Sequence, residues 1–276
     1  MSAKNVALSG EVGVAAAAAP GTRSVHAPRS MIAWRLVSIG LFCLLWEIAG
    51  RIPINPAFPP FGDTLAAFLA MVADGSLPRA FASTLQPLAI GVAVSATLGV
   101  AIGVAMGLRP SLEWLGAPVF IVLQAAPVAA LIPLVTFVYG IGLTAKTLSV
   151  CLLALPVIVL NSYKAVQNVS PSLTAMGRSF LGTPRQLVLK IVLPDAAPVI
   201  FAGLRLGVSA GFIGVVLAEL LITPTGIGDL ITYHQSTASY PEMYADIASI
   251  VVFSALALAL LQIVEIRLFR PEKREQ

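Results

Sequence analysis

The chain has 276 residues, of which 58% are hydrophobic and 11% are charged, and its formal net charge is +4. In soluble domains roughly a quarter of the residues are charged, and the mean hydropathy of +0.91 is also far from that class. This composition excludes an ordinary soluble enzyme, a disordered chain and a nucleic-acid-binding protein. It predicts a protein that crosses a membrane several times.

Stretches without charged residues indicate where the membrane spans are expected. No charge lies between Arg79 and Arg109, and none lies between Glu113 and Lys146. About 20 apolar residues cross a bilayer as a helix, which satisfies its own backbone hydrogen bonds in lipid. The sequence therefore predicts an all-helical membrane protein with six spans, over residues 36–48, 85–108, 115–139, 147–163, 198–222 and 247–266.

The basic residues predict the orientation of the chain. If the N-terminus lies in the cytoplasm, most lysines and arginines fall in cytoplasmic segments, as the positive-inside rule requires. Only Arg51, Arg79 and Lys146 then lie outside, and Arg205 lies within the fifth span. Both termini are expected in the cytoplasm, and the predicted regions are a mobile tail over residues 1–30, a transmembrane domain over 31–270 and a second tail over 271–276.

The sequence has few residues suited to disulfide or metal chemistry. Cys43 and Cys151 fall in different predicted spans, so neither a disulfide framework nor a zinc-binding spacing is indicated. His26 and His234 lie outside the spans, which argues against a histidine relay or a metal site there. We expect no metal and no cofactor on this chain.

Two spans carry glycines at a spacing of four residues. This spacing places small residues on one helix face, where a second helix can approach closely. The pattern predicts helix packing, either within the chain or against a second copy. The glycines are Gly91, Gly99, Gly103 and Gly107 in the second span, and Gly203, Gly207 and Gly211 in the fifth.

The third span contains residues that a straight helix avoids. Pro118, Pro127 and Pro133 each remove a backbone donor and bend the helix. Bent or broken helices at membrane depth are a common construction of a transport path. Polar residues within the spans are the candidates for lining it, although each could instead bond a neighbouring helix. They are Gln124, Asn161 and Glu219.

Arg205 and Glu219 are the strongly charged residues within the predicted spans. Arg205 lies near the cytoplasmic end, where we expect it to reach the interface or to pair with the preceding loop. Glu219 lies near the outer end. It either faces the path as a gate or accepts hydrogen bonds from neighbouring backbone amides.

Residues 168–194 are predicted to form a cytoplasmic helical hairpin. A capping serine followed by proline starts one helix at 170–171, Gly182 ends it, and threonine followed by proline starts a second at 183–184. The second helix is amphipathic, so an apolar surface must cover it, either lipid or a docked protein. This hairpin lies in the loop 164–194 between the fourth and fifth spans.

This segment and the spans around it resemble the ABC importer permeases of the nitrate, sulfonate and taurine family. The coupling loop of that family reads Glu-Ala-Ala, three residues, Gly, nine residues, Ile-x-Leu-Pro, and IVLP at 191–194 matches its end. The glycine position falls on Leu181, one residue before Gly182, and the Glu-Ala-Ala positions fall on 175–177. Further similar segments are LWEIAG at 45–50, APVAALIPLVTFVYGIGLTAKTL at 126–148 and GLRLGVSAGFIGVVLAELLITPTGIGDLI at 203–231.

The resemblance implies a permease subunit of a type I importer for a small solute, located in the bacterial inner membrane. It also implies, besides membrane lipid, three protein partners: a second permease subunit that is expected to be an identical copy, a cytoplasmic ATPase dimer that binds ATP, and a periplasmic binding protein. The chain has no Walker pattern G-x-x-x-x-G-K-[ST], so it is not expected to be an enzyme. The ATPase-coupling residues carried over are Phe180, Leu181, Gly182, Thr183, Pro184, Arg185, Gln186 and Pro194.

Two other classes of protein are weighed against the sequence, an intramembrane aspartyl protease and an ATP-independent transporter. Residues 226–229 spell the GxGD of intramembrane aspartyl proteases, but that chemistry needs a second facing carboxylate, and no earlier span contains an aspartate. The main alternative is an ATP-independent channel or secondary transporter. Against it, the six spans show no obvious internal repeat and no carboxylate near a midplane.

Overall fold

The computed structural model describes residues 28–52 and 57–269, with the side chains of 33–52 and 57–267. Within these residues every regular element is helical and no strand is present, which confirms the all-helical prediction. The helices are α1 Pro28–Arg51, α2 Phe61–Ala73, α3 Ser76–Leu108, α4 Pro110–Ala125, α5 Val128–Tyr139, α6 Leu143–Gln167, α7 Pro171–Ser179, α8 Pro184–Leu187, α9 Leu193–Leu221, α10 Ile227–Ser236 and α11 Tyr240–Phe269; a π-helical segment, Val188–Val192, joins α8 to α9.

The predicted tails fall almost entirely outside the described residues. This holds for residues 1–27 of the predicted N-terminal tail and for the predicted C-terminal tail at 271–276. Residues 28–30 belong to α1. The first helix therefore begins before residue 31, where the transmembrane domain was expected to start.

Contacts divide the chain into two compact units, Met1–Leu45 and Trp46–Gln276. The described side chains of the first unit belong to α1, and its large apolar residues are exposed, with Leu36 at 64% and Phe42 at 63%. Exposed apolar side chains along a whole helix indicate a lipid or protein environment. The stretch Ala33–Arg51 is long and apolar enough to cross a bilayer.

The number of spans depends on how one bent pair of helices is counted. Five described helices are long and apolar enough to cross a membrane, and the pair α4 and α5 raises the number to six at most. The prediction of six spans therefore holds if this pair is one span. The short helices α2 and α10 were not predicted, because their apolar stretches are too short to register as spans.

The third span is a broken helix rather than a bent one. α4 ends at Ala125, α5 begins at Val128, and the two helix axes differ by 98°. Pro127 lies in the break and cannot donate a backbone hydrogen bond there. The side chains of α4 include none that is buried, and Ile132 is the buried one of α5.

The second unit is organised around α6, which packs between α3 and α9. A Cβ on Gly91 would lie 2.6 Å from Val150 Cβ, and one on Gly103 would lie 2.5 Å from the Val159 carbonyl oxygen. On the α9 side, a Cβ on Gly203 would lie 2.5 Å from Asn161 Cβ. Both glycine stripes therefore pack within the chain against α6, where any larger side chain would push the helices apart.

The hairpin segment differs from the prediction of two separate short helices. α7 and α8 begin at Pro171 and Pro184, as the start signals indicate. The second helix does not stop, however, because the π segment carries it into α9, with the Leu193 amide bonded to the Val188 carbonyl. Residues Pro184–Leu221 form one continuous helical stretch of 38 residues.

Candidate functional site

A buried ion pair joins α6 and α9 at the end where α6 begins. Lys146 Nζ lies 2.8 Å from Glu219 Oε1, and the two residues are only 3% and 2% exposed. The hydroxyl of Thr84, on α3, lies 2.9 Å from Oε2 of the same carboxylate. Three candidate spans therefore meet at one carboxylate.

The same side chains hold the loop between α9 and α10. The Lys146 ammonium also donates to the Thr225 carbonyl at 2.8 Å and to its hydroxyl at 3.0 Å, which uses all three of its N–H donors. Glu219 Oε2 accepts from the Gly228 amide at 3.1 Å, and Thr84 Oγ1 accepts from the Ile227 amide at 3.0 Å. We name this network, formed by Thr84, Lys146, Glu219 and residues 225–228, the clasp.

Two glycines let the loop approach the carboxylate. Gly226 has a φ of +102°, a conformation that L side chains rarely adopt, and a Cβ there would collide with the Glu219 carboxylate. A Cβ on Gly228 would lie 2.6 Å from Glu219 Cβ. These glycines belong to the GxGD sequence, so its role in this structure is to bring backbone amides to Glu219.

The clasp is suited to holding structure rather than to moving protons. Removing one partner of a buried, fully hydrogen-bonded ion pair strongly destabilises the folded protein, because the other charge stays buried without compensation. Glu219 accepts hydrogen bonds from α3, α6 and the start of α10. The clasp therefore fixes the position of α10 and its preceding loop relative to three spans.

Sequence reasoning missed Lys146, which was placed outside the fourth span. In the structure α6 begins at Leu143, so Lys146 lies in its first turn and is buried. A charged residue was taken to end the span, whereas a buried opposite charge allows it to continue. One signal was available: α6 and α9 are antiparallel, so the start of one and the end of the other place Lys146 and Glu219 at the same depth.

Arg205 also has a partner that was not predicted. Its guanidinium lies 3.6 Å from Glu265 on α11, and the side chains are 35% and 9% exposed. Of the two expected environments, the pairing with the loop before α9 is therefore corrected to a pairing with Glu265 on α11, and reaching the interface stays a prediction.

The three path candidates are not brought together. Gln124 is exposed on α4. Asn161 packs against Gly203 and donates to the Val157 carbonyl at 2.7 Å, and Glu219 is enclosed in the clasp. Glu219 thus has the partners of the alternative interpretation, in which a polar residue bonds neighbouring helices and backbone amides. The hydrogen bond of Asn161 is to its own helix α6, and the path role of the three residues stays a prediction.

At the opposite end of α6, α7 and α8 form a hairpin whose turns are closed by local hydrogen bonds. The Gly182 amide donates to the Gly177 carbonyl at 3.1 Å, and the Leu181 amide donates to the Arg178 carbonyl at 2.9 Å. This pair of bonds is the Schellman arrangement that ends a helix. Leu181 takes its left-handed position, with a φ of 56°, where glycine is usual. The family's motif glycine falls on this residue.

The second helix of the hairpin starts with a complete capping box. The Gln186 amide donates to Thr183 Oγ1 at 3.3 Å, and the Thr183 amide donates to Gln186 Oε1 at 2.9 Å. Pro184 then occupies the first helical turn. Both helix ends at the tip are therefore closed without help from any other part of the chain.

The tip of the hairpin, Phe180 to Gln186, exposes apolar side chains. Phe180 is 79% and Leu181 92% exposed. Gly177, by contrast, is buried against Leu187 and Ile191, where a Cβ would collide with both. The hairpin thus packs on itself and presents its tip outward. Thr183, Pro184, Arg185 and Gln186 are exposed and Gly182 is half-buried, while Pro194 is exposed at the start of α9.

Ionisable residues elsewhere do not assemble a metal site. Among residues 33–52 and 57–267, no group of three or more His, Cys, Asp and Glu side chains could hold a metal ion. His234 Nδ1 lies 2.7 Å from Asp246 Oδ2, which joins α10 to α11.

Comparison with known proteins identifies relatives along most of the chain. Residues 95–270 match the family described as binding-protein-dependent transport system inner membrane component. The taurine transport system permease protein of Escherichia coli (strain K12) is 27% identical over 251 residues, covering 86% of this chain and 90% of that protein. The putative aliphatic sulfonates transport permease protein of Bacillus subtilis (strain 168) is 24% identical, covering 82% and 83%. The nitrate import permease protein of Leptolyngbya laminosa is 26% identical, covering 73% and 72%.

Solved structures show the same fold. An inward-facing structure of the MetNI methionine ABC transporter superposes with a TM-score of 0.56 at 21% identity, covering 70% of this chain and 94% of that one. A structure of an amino acid ABC transporter gives 0.55 at 19% identity, covering 73% and 98%. The matched region of the family contains both α6 and α9 and the hairpin between them. This chain belongs to the family of inner-membrane components of binding-protein-dependent transport systems, the permeases of ABC importers.

Proposed function

We propose that this chain forms the path by which an ATP-driven importer moves a sulfonate, taurine, nitrate or a related small solute across the bacterial inner membrane. The solute class is supported by the taurine, sulfonate and nitrate permeases among its relatives. The net charge of +4 does not contribute to this proposal, because the distribution of basic residues is accounted for by membrane topology.

The structure of the hairpin is the observation that supports coupling of this chain to a separate ATPase. Its two helices are capped at the tip and packed on each other, so a force on the tip moves it as a rigid body. Its exposed Phe180 and Leu181 need an apolar partner surface. We assign the ATPase contact to the tip, Phe180 to Gln186, together with Pro194 at the start of α9.

The exposed faces elsewhere fit the remaining partners. α4 and α5 expose Trp114 at 83% and Phe137 at 88%, and a second copy of the chain would cover these helices and place Gln124 beside the path. The hairpin end, with Lys164 and Lys190 exposed, faces the cytoplasm under the positive-inside rule. The clasp end then faces the periplasm, where the clasp holds α10 in place for a binding protein that delivers solute.

The test is purification of the tagged chain in mild detergent, followed by mass spectrometry and an ATPase assay. We expect a cytoplasmic ATPase to co-purify with the wild type. The double variant Gly182→Pro, Arg185→Glu removes the amide donor to Gly177 and reverses a charge at the tip. It should insert into the membrane and lose ATP-dependent uptake. Lys190→Glu, the same charge reversal outside the tip, should keep both the ATPase and uptake.

Three further results decide the assignment. Phe180→Asp changes an exposed side chain that supports no core packing, so loss of ATPase binding in this variant cannot be attributed to misfolding. Normal uptake by the double variant would remove the tip from the coupling mechanism. A chain that purifies alone and moves solute into liposomes without ATP would instead be a channel or a secondary transporter.

A further inference from the structure

A cavity of about 750 Å³ lies behind the hairpin. Its walls come from the joint between α3 and α4, the end of α6, α7, α8 and the π segment. α3 ends at Leu108 and α6 at Gln167, and both are candidate membrane spans. The cavity is therefore at the level where spans end, which in a bilayer is the level of the lipid headgroups.

Three arginines from three different elements line this cavity. They are Arg109 at the joint between α3 and α4, Arg178 on α7 and Arg185 on α8. Each is exposed, and none of them forms an ion pair with the acidic side chains that the structure describes. The nearby Glu113 is engaged with Tyr163 and Gln167 instead. The cavity thus has an uncompensated positive charge.

The rest of the lining indicates that the anion is amphiphilic. Most of the other lining side chains are aliphatic, among them Leu108, Val166 and Val192. A small inorganic anion gains nothing from aliphatic walls, whereas the first methylene groups of a lipid chain are stabilised by them. Guanidinium groups match the oxygens of a phosphate, and basic pockets between membrane helices bind acidic lipid headgroups.

We infer that this cavity is a binding site for an anionic phospholipid. The phosphodiester of the headgroup contacts Arg109, Arg178 and Arg185, and the adjoining part of an acyl chain lies against Leu108, Val166 and Val192. A lipid bound there fills the space between the hairpin and the span ends. The site shares Arg185 with the tip assigned to the ATPase, but Arg109 and Arg178 lie outside the tip. Lipid occupancy can therefore be measured in variants of these two arginines whether or not the proposed function holds.

The experiment is a lipid titration of the purified full-length chain, followed by native mass spectrometry. Phosphatidylglycerol and phosphatidylcholine with the same acyl chains are compared, and we expect the anionic lipid to be retained at least tenfold more strongly. Each arginine near a headgroup contributes a factor of about five. The double variant Arg109→Gln, Arg178→Gln should therefore bind phosphatidylglycerol about 25-fold more weakly, and either single variant about fivefold more weakly.

The matched control is Lys164→Gln, Lys190→Gln, which removes two exposed charges from the same end without touching the cavity. It should bind phosphatidylglycerol like the wild type. Equal loss in both double variants would show a non-specific charge effect and overturn the site. Displacement of the lipid by an equal concentration of inorganic phosphate would mean a simple anion site. If the arginine variant keeps its lipid but loses the ATPase, the cavity receives an acidic protein surface, and the lipid assignment is wrong.

Discussion

The helices α6 and α9 have the clasp at one end and the hairpin at the other, and charged residues are buried in the clasp but exposed in the hairpin. In the clasp, Lys146 and Glu219 are buried, and each is bonded to several partners from other elements. At the hairpin end, Arg178 and Arg185 are exposed without an ion pair among the described residues, and Phe180 and Leu181 expose apolar surface. The charged residues of the clasp are bonded within the chain, whereas the exposed residues of the hairpin need other molecules as partners.

This difference separates a structural role from an interaction role. A buried group whose hydrogen bonds are all made within the chain contributes to stability, and its removal lowers the free energy of unfolding. An exposed group contributes little to stability, so its removal mainly weakens the binding of a partner that contacts it. Mutations at the clasp should therefore lower stability, and mutations at the hairpin tip should change coupling with little effect on stability.

The largest effect is expected for Glu219→Ala. It leaves the Lys146 ammonium buried without its counter-charge, a loss of about 3–5 kcal/mol in the free energy of unfolding. Thermal unfolding in detergent measures it. The double variant Lys146→Met, Glu219→Leu removes both charges and should recover most of the loss. Equal stability of the single and double variants would mean that the charge pair is not what holds this end together.

The next effect compares two glycines with similar backbone conformations. Gly226 has φ +102° and ψ −172°, and Gly140 has φ +79° and ψ +170°. Alanine strains both backbones, but only at Gly226 does its Cβ collide with a carboxylate, while nothing lies within 4 Å at Gly140. Gly226→Ala should be less stable than Gly140→Ala by about 1–3 kcal/mol. Equal melting temperatures would contradict the close approach in the clasp.

A smaller, local effect is expected for Thr183→Ala. It removes the capping oxygen from the Gln186 amide, which destabilises the start of α8 by about 1 kcal/mol. Hydrogen exchange should become faster at the start of α8, while the melting temperature of the whole chain stays unchanged. Thr183→Ser keeps the oxygen and should exchange like the wild type. A fall in global stability would show that the hairpin is not independent of the spans.

The smallest effect is a gain in the stability of the hairpin turn when Leu181 is replaced by glycine. Glycine adopts a φ of 56° without steric strain, so Leu181→Gly should stabilise the turn by about 1 kcal/mol. Slower hydrogen exchange over residues 171–187 would show this gain. Leu181→Ala keeps a Cβ and should show none. If alanine stabilises the turn as much as glycine, the gain comes from removing an exposed apolar side chain and not from the backbone.

The spans and the hairpin starts could be predicted because their signals are local. Charge-free length gives the spans, and the proline and capping residues give the starts of α7 and α8. The 98° break at Pro127 was not predictable in size, since a proline fixes where a helix weakens while packing decides how far it turns. Likewise, a π segment has no proline or glycine to mark it.

The candidate site was predicted in part, for a related reason. Glu219 stood out as an acid within a span, and one of its two readings was a carboxylate bonded to backbone amides, as Gly228 shows. Its partners Lys146 and Thr84 come from other helices, far away in sequence. Hydropathy read along one helix contains no information about a charge that is neutralised from another.

The π segment Val188–Val192 sets the rotational phase between the two ends. A π turn holds one residue more than an α turn, and one residue corresponds to about 100° of rotation about the helix axis. Deleting one residue there would rotate the hairpin by about 100° around α9, and it would disturb the packing of Gly177 against Ile191, which lies within the segment. The continuous helical stretch Pro184–Leu221 contains Pro184 and Arg185 of the tip as well as Glu219 of the clasp. Under the proposed function, a rotation of the hairpin would therefore be carried to the clasp through one uninterrupted helical backbone.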